Sequence, residues 1–176
     1  INGINFKYFM KLFGNFAESS GPNIPIFCSG VTDNDPGKSI FPKKGDSPTS
    51  TNHIVAEKSS IDNNQWTRLF VSPLKTFEYD LAIYNPKLLA EALKDIWPTD
   101  NGTVSSTLNT IANRDRSKED VATLADDAKF IYEHIEDCQV GKGVFADTLA
   151  EKIDDTFVVP EYLSSAILWA CGGRTL

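Results

Sequence analysis

The predicted fold follows from one stretch, residues 24–37, which reads IPIFCSGVTDNDPG. Its apolar run is too short for a helix and is bounded by proline and glycine. The pattern therefore predicts a buried strand that ends in an acidic turn, residues 33–37. Side chains two residues apart on extended backbone point to the same side. We therefore expect the carboxylates of Asp33 and Asp35 to reach one spot at the carboxyl edge of a sheet.

These two carboxylates indicate a cation site. Carboxylates held close together repel each other unless a cation lies between them. Mg²⁺ accepts one or two carboxylates while keeping several waters, and the carboxyl edge of a parallel sheet is where open α/β domains bind ligands. The alternative that these residues leave open is an acidic surface turn without a metal, since Asp, Asn, Pro and Gly are ordinary turn residues.

A second group of polar residues follows the second predicted strand, residues 68–71. The group consists of Thr76, Glu78 and Asp80. Parallel strands end at the same edge of a sheet, so we expect these side chains to converge on the acidic turn. In the alternative interpretation, Glu78 and Asp80 lie at the N-terminus of the next helix, where the helix dipole favours acids.

Lys142 lies between two glycines, directly before a predicted helix over residues 144–153. Glycine lets the backbone approach a ligand closely, and a cation there would neutralise charge on a phosphate in a transition state. The alternative is an exposed lysine in a turn between two helices.

The whole chain has the composition of a globular protein. Its 176 residues are 41% hydrophobic and 23% charged, with no apolar run as long as a membrane span. Residues 38–65 are expected to be irregular. Because a helix rather than a strand opens the chain, we expect a fragment whose first strands are missing. Apolar periodicity and capping residues predict further helices at residues 4–17, 86–97, 103–113, 117–138 and 161–171.

Charge and cysteine content limit the function classes. The formal net charge of -7 argues against unaided DNA binding, because phosphates are bound largely by Lys and Arg. A nucleic-acid enzyme of this charge needs metal ions, a local basic patch or a partner. The three cysteines are widely spaced and form no CxxC pair, which favours a reduced, cytoplasmic protein.

Three segments then occur in order: VTDNDP at 31–36, TFEYDLA at 76–82, and KGVFA at 142–146 followed by Leu149 and Ala150. Together they resemble the C-terminal Toprim nuclease region of the overcoming-lysogenization-defect (OLD) family. These are ATP-dependent endonucleases related to the nuclease of the Gabija phage-defence system. The resemblance implies an α/β fold with a Toprim-like, mostly parallel sheet flanked by helices. It implies an N-terminally truncated core over residues 1–97 and a helical region over 98–176 that completes the nuclease domain.

The resemblance also implies a function, DNA cleavage at a two-metal site for Mg²⁺ or Mn²⁺. Asp33, Asp35 and Glu78 match the family's metal ligands and are expected to be catalytic. Thr76 and Lys142 match substrate-binding positions, and Lys142 is also expected to be catalytic because it stands near the scissile phosphate. The expected partners are DNA, an ATPase domain of the same longer protein and a second copy in a homodimer, without a membrane.

One part of the family pattern has no counterpart here, the glutamate that ends the first Toprim strand. We therefore expect the fragment alone to be weakly active or inactive. The alternative function is a catalytically silent, Toprim-like module for interaction or dimerisation. A phosphatase with an aspartyl nucleophile fits less well, because Gly37 stands where such enzymes carry Thr or Val.

Overall fold

The computed structural model describes residues 7–14, 23–97, 102–118, 120–136 and 141–172. Within these ranges a pair of parallel strands is accompanied mostly by helices, so the protein is α/β, as the sequence predicts. In chain order the elements are α1 (Lys7–Met10), β1 (Cys28–Thr32), α2 (His53–Ala56), α3 (Lys58–Asp62), β2 (Thr67–Val71), α4 (Phe77–Tyr84), α5 (Pro86–Ile96), α6 (Gly102–Ala112), a 3-10 turn (Arg116–Lys118), α7 (Val121–Glu136), α8 (Gly141–Lys152) and α9 (Glu161–Ala170).

The chain divides into two compact units. The first combines Ile1–Ile40, Ser47–Phe77 and Pro160–Leu176, and the second combines Phe41–Asp46 and Glu78–Val159. This division does not coincide with the domain boundary predicted at residue 97. The reason is that α9, near the C-terminal end, packs against both strands, while the helices from α5 to α8 pack against one another.

The first unit is built on the parallel pairing of β1 with β2. The register places Cys28 opposite Thr67 and Thr32 opposite Val71, so both strands end at the same edge. The buried core beside this pair draws one residue from each of α1, α2, α3 and β2, because each of these elements has too few residues to bury a face alone. Its members are Met10, Ile54, Ile61 and Leu69.

β1 is shorter than predicted. Strand pairing begins at Cys28 rather than Ile24, and the side chains of Ile24 and Ile26 are 43% and 56% exposed instead of buried. Pro25 has no N–H to donate to a sheet, and β2 offers only five paired positions. The prediction of a second strand is confirmed by β2.

The residues predicted to be irregular, 38–65, contain α2 and α3, and α3 closes the outer edge of β2. Asp62 Oδ1 accepts a hydrogen bond from the N–H of Leu69 (2.7 Å), and Lys58 Nζ donates one to the carbonyl of Leu69 (2.5 Å). Lys58 and Asp62 also form an ion pair at 2.5 Å. Side chains thus satisfy backbone groups that an edge strand otherwise offers to another strand.

The second unit packs α6, α7 and α8 around α5. The predicted apolar stripe of α5 is confirmed, and Pro86 stands in its first turn as expected. Asn85 does not cap this helix with its side chain. It accepts a hydrogen bond from the N–H of Val158 (2.7 Å) and donates one to the carbonyl of Val158 (2.9 Å). The side chain therefore anchors the segment that leads to α9.

The predicted C-terminal helices are confirmed as α6, α7, α8 and α9, with ends shifted by a few residues. α1 covers only part of the first predicted helix, of which residues 4–6 and 15–17 lie outside the described residues. Residues 137 and 138 of the predicted α7 also lie outside them. In the part of the chain that the structure describes, no helix has the length and apolar character needed to cross a bilayer.

Leu69→Ala tests whether the core of the first unit depends on β2. Leu69 is fully buried, so the truncation leaves a cavity and should lower the free energy of unfolding by about 2–5 kcal/mol. Val31→Ala, on the neighbouring strand at 40% exposure, is the control and should cost less than about 1 kcal/mol. Urea unfolding followed by tryptophan fluorescence measures both, and equal losses would contradict this core.

Candidate functional site

The acidic turn begins at the carboxyl end of β1 and lies beside the segment that follows β2. The N–H of Ser72 donates to the carbonyl of Thr32 (2.9 Å), which extends the strand pairing by one bond. The N–H groups of Asn34 and Asp35 both donate to the carbonyl of Lys75, each at 3.0 Å. Because the strands are parallel, the two segments meet at the edge where open α/β sheets bind ligands.

Asp33 is half-buried, and its carboxylate caps α4. Its Oδ1 accepts a hydrogen bond from the N–H of Phe77 (2.9 Å), the first residue of that helix. The first N–H groups of a helix lack intrahelical acceptors, and the helix dipole favours an anion there. One oxygen of Asp33 therefore stabilises the start of α4, a role that the spacing of the two aspartates does not predict.

Asp35 is exposed and does not lie on extended backbone. β1 ends at Thr32, and Asp35 has a φ of 49°, in the left-handed region. The premise that Asp33 and Asp35 point to the same side as strand residues is therefore wrong. Aspartate enters the left-handed region more readily than most residues, because its short polar side chain bonds locally.

Residues 48–52, within the segment expected to be irregular, hold the acidic turn in place. Ser50 Oγ donates to the carbonyl of Asn34 at 2.5 Å. Thr51 donates to the carbonyl of Asp35 through its N–H (3.1 Å) and through its hydroxyl. These bonds satisfy carbonyl groups that no longer have a partner strand.

Asn52 connects the acidic turn to α2. Its Nδ2 donates to the hydroxyl of Thr32 (3.0 Å) and to the carbonyl of Asp33 (2.8 Å). Its Oδ1 accepts from the N–H of Ile54 (3.1 Å), which caps α2. One buried amide thus fixes both the end of β1 and the beginning of the following helix.

Lys75 and Thr76 lie between β2 and α4, and both are buried. Burial lowers the pKa of Lys75, and the carboxylate of Asp35 offsets part of that effect. Thr76 is predicted to bind substrate through its hydroxyl. It is only 8% exposed, so little of its surface is accessible to a substrate.

In the second unit, Lys142 lies between two glutamates. Its Nζ is 3.0 Å from Glu78 Oε1 and 2.5 Å from Glu136 Oε1. Lys142 was expected in a loop, but α8 begins at Gly141, whose φ is 81°, so the lysine stands in the first turn of the helix. The helix dipole disfavours a cation at that end, and the two carboxylates offset the penalty.

Glu78 and Asp80 lie in the first turn of α4, so the alternative interpretation of these two acids as helix N-terminal residues is confirmed. Their surroundings differ. Asp80 is fully buried, whereas the side chain of Glu78 is 19% exposed and pairs with Lys142. Of the two, Glu78 is therefore the acid that a ligand reaches more easily.

The two glutamates change the chemistry open to Lys142. Partial burial lowers the pKa of Lys142, but the hydrogen bonds and charges of Glu136 and Glu78 outweigh it and hold the pKa above its usual value. A general acid works best when its pKa lies near the working pH. The geometry therefore favours Lys142 as a fixed positive charge rather than as a proton donor.

The structure thus places the predicted site residues in two groups. Asp33 and Asp35 lie with residues 75–77 in the first unit, and Glu78 and Lys142 lie with Glu136 in the second. Within the described ranges, no group of three or more His, Cys, Asp or Glu side chains is arranged to hold a metal ion. The donors of the acidic turn still suit a hard cation such as Mg²⁺, which accepts one or two carboxylates and keeps its waters.

Comparison with known proteins adds no assignment. No family model, curated protein sequence or solved structure matches the chain at a significant level. Only the residues of the site and their geometry therefore indicate its chemistry.

Sequence reasoning missed three residues of these groups, Asn52, Lys75 and Glu136. Asn52 carries a local signal, since Asn is among the preferred residues at a helix N-cap. Glu136 has the same sequence context as the other acids of α7, and only its contact with Lys142 distinguishes it. Lys75 has no local signal, because its partners are far away in the sequence.

Asn52→Ala is expected to loosen the acidic turn. The change removes three hydrogen bonds of a buried amide and should lower the free energy of unfolding by about 1–3 kcal/mol. Amide hydrogen exchange at Ile54 should become faster. Asn63→Ala, at an exposed position after α3, is the matched control, and a variant pair with the same exchange and stability would overturn the assignment.

Lys142→Gln tests the ion pairs by their pH dependence. A pKa raised on folding above the usual 10.5 adds stability that is fully present below that pH and is lost at higher pH. The difference in unfolding free energy between wild type and Lys142→Gln should therefore be constant from about pH 7 to 9 and shrink above about pH 10.5. Denaturant unfolding across this range measures it, with Lys38→Gln as the control, and a decline that begins below pH 9 would refute the prediction.

Proposed function

We propose that the chain is part of a metal-dependent DNA endonuclease of the OLD family with a Toprim-like fold. The observation that carries the proposal is the acidic turn, which is tied down by hydrogen bonds from residues 48–52 and 75 at the carboxyl end of a parallel strand pair. Ligand sites of α/β sheets lie at this edge. The sequence resemblance supports the same reading, because all three of its segments carry the polar residues in question.

In this proposal Asp33, Asp35 and Glu78 are the ligands of Mg²⁺ or Mn²⁺, an assignment that comes from the resemblance of their segments to the family's motifs. When bound, such ions polarise a phosphodiester and lower the pKa of a bound water. The carboxylates of Asp33 and Asp35 supply the negative charge that holds the cation. The N–H of Phe77 keeps Asp33 oriented by its hydrogen bond to Oδ1. Thr76 is assigned to substrate binding, as its position in the motif implies.

Lys142 is proposed to stabilise the negative charge that develops on the phosphate. Glu78 and Glu136 hold its ammonium group charged and in one place, so it needs no reorganisation during the reaction. A proton transfer from this lysine is disfavoured by its raised pKa.

DNA is the proposed substrate although the net charge is -7. Metal ions and a further domain, proposed to be an ATPase of the same longer protein, would supply the positive charge that phosphate binding requires. This arrangement predicts that binding depends strongly on the divalent cation as well as on salt.

Plasmid nicking in Mg²⁺ or Mn²⁺ tests the function in the protein expressed from its full gene. Asp33→Asn and Glu78→Gln should each reduce nicking by at least about a hundredfold, because each removes a charge that holds the cation. Asn at position 33 still accepts the hydrogen bond of Phe77, so α4 keeps its cap and the loss reports on charge. Glu91→Gln on α5 is the matched control, and nicking that survives both site variants sinks the proposal.

The second candidate function is a silent module for interaction or dimerisation. It is favoured by one observation, the lack of a three-ligand metal group within the described ranges. Calorimetric titration with Mn²⁺ and sedimentation at several protein concentrations separate the two functions. Dimerisation without Mn²⁺ binding supports the module, whereas Mn²⁺ binding that disappears in Asp33→Asn supports the nuclease.

A further inference from the structure

Lys75 is a buried lysine, 3% exposed, in the short segment between β2 and α4. A buried ammonium group is tolerated only when its donors are hydrogen-bonded, and lysine has three of them. Its Nζ donates to the carbonyls of Gly37 (2.6 Å), Lys38 (3.2 Å) and Ile40 (2.9 Å). These three carbonyls can each accept one of the three donors, and all of them belong to the acidic turn or follow it within a few residues.

The backbone of Lys75 holds the other half of the same turn. Its carbonyl accepts the N–H groups of Asn34 and Asp35, each at 3.0 Å. Residues 34 and 35 are therefore fixed by the main chain of Lys75, and residues 37, 38 and 40 by its side chain. One residue spans the whole turn.

The turn needs such a clamp because its backbone is unusual. Asp35 has a φ of 49° and Gly37 a φ of 127°, both in the region that most residues avoid. Backbone conformations of this kind persist only when several surrounding contacts fix them. Lys75 contacts residues before and after Asp35 in the sequence, so the backbone of Asp35 is constrained from both directions.

We propose that Lys75 is the positioning residue of the acidic turn: its ammonium group binds three carbonyls and its own carbonyl binds two amides, so that the backbone carrying Asp33 and Asp35 is held ready for a ligand. The inference depends on the proposed function for the ligand, a divalent cation. Neither methionine nor arginine, whose side chains are of comparable length, fits the contacts. Methionine has the length without donors, and the planar guanidinium of arginine spreads its donors too widely for three carbonyls around one nitrogen.

The positive charge is part of this role. Three carbonyl dipoles point their negative ends at Nζ, and the two aspartates add negative charge to the same turn. A cation offsets that repulsion before a metal binds, so the turn stays organised in both states. Lys75 thereby acts on the metal ligands through the backbone and does not contact the substrate.

The test compares Lys75→Met with Lys38→Met in the full chain. Both remove one positive charge beside the acidic turn, but the side chain of Lys38 is exposed. The amides of Asn34 and Asp35 should exchange with solvent at least about tenfold faster in Lys75→Met, while the amide of Leu69, in the same unit, keeps its rate. The Mn²⁺ affinity should fall about ten- to a hundredfold, as for residues that orient metal ligands. Lys38→Met should change neither quantity.

Chemical rescue separates the charge from the packing. Lys75→Ala lacks the four outer atoms of the side chain, and propylammonium supplies them with the charge, whereas 1-propanol supplies a similar shape without it. Propylammonium should slow amide exchange at residues 34 and 35 and raise Mn²⁺ affinity, and 1-propanol should do neither. If Lys75→Met does not fold, Lys75→Arg, which keeps the charge, replaces it in the comparison. Fast amide exchange at residues 34 and 35 in Lys75→Arg also supports the clamp.

These measurements distinguish a failure of the Lys75 clamp from a failure of the proposed function. Unchanged exchange at residues 34 and 35 in a folded Lys75 variant overturns the clamp, whatever the metal titration gives. Wild-type protein that binds no Mn²⁺ overturns the proposed function and the role of Lys75 toward a metal. Mn²⁺ binding with equal affinity in wild type and Lys75→Met overturns the positioning role alone.

Discussion

The first unit depends on the parallel pairing of β1 with β2. At the end of that pairing, two segments leave the sheet together, and their backbone N–H and C=O groups must find new partners. They find them in each other and in a few side chains. The carbonyl of Lys75 takes two amides of the acidic turn, and Asn52 takes the carbonyl of Asp33 and the hydroxyl of Thr32. The candidate ligand pair is therefore a product of satisfying the backbone where a sheet ends.

Much of the helical structure could be predicted, because helices that pack around a common neighbour repeat their apolar residues with the period of the helix. α5 is the clearest case, with Leu89 and Leu93 fully buried. The start of β1 could not be predicted in the same way. An apolar run shows that a strand is feasible, but the first paired residue depends on where the partner strand begins, and β2 begins opposite Cys28.

The candidate site shows a similar limit. The acidic turn and Lys142 stand out in the sequence because their residue types are unusual at that spacing. Their geometry was beyond reach: Asp35 has left-handed backbone, and Lys142 is part of a helix and is held by Glu136. Lys75 could not be predicted, since hydrogen bonds between a side chain and a distant backbone leave no periodic trace, and Asn52 shows only the local signal of a helix N-cap. In the second unit, the pairing of Lys142 with Glu78 and Glu136 was likewise not evident from the sequence.

The position of α9 has a consequence for how the protein is made. The sheet near the beginning of the chain is covered by a helix from its far end, where the ring of Trp169 packs edge-on against Phe27 at 5.2 Å and beneath the guanidinium of Arg68 at 4.2 Å. During synthesis, the helices of the second unit leave the ribosome before α9 does. The strands therefore stay incompletely covered until α9 has been synthesised, and contacts so distant along the chain form slowly. Premature termination before residue 160 would leave these aromatic surfaces open to aggregation rather than merely shorten the protein.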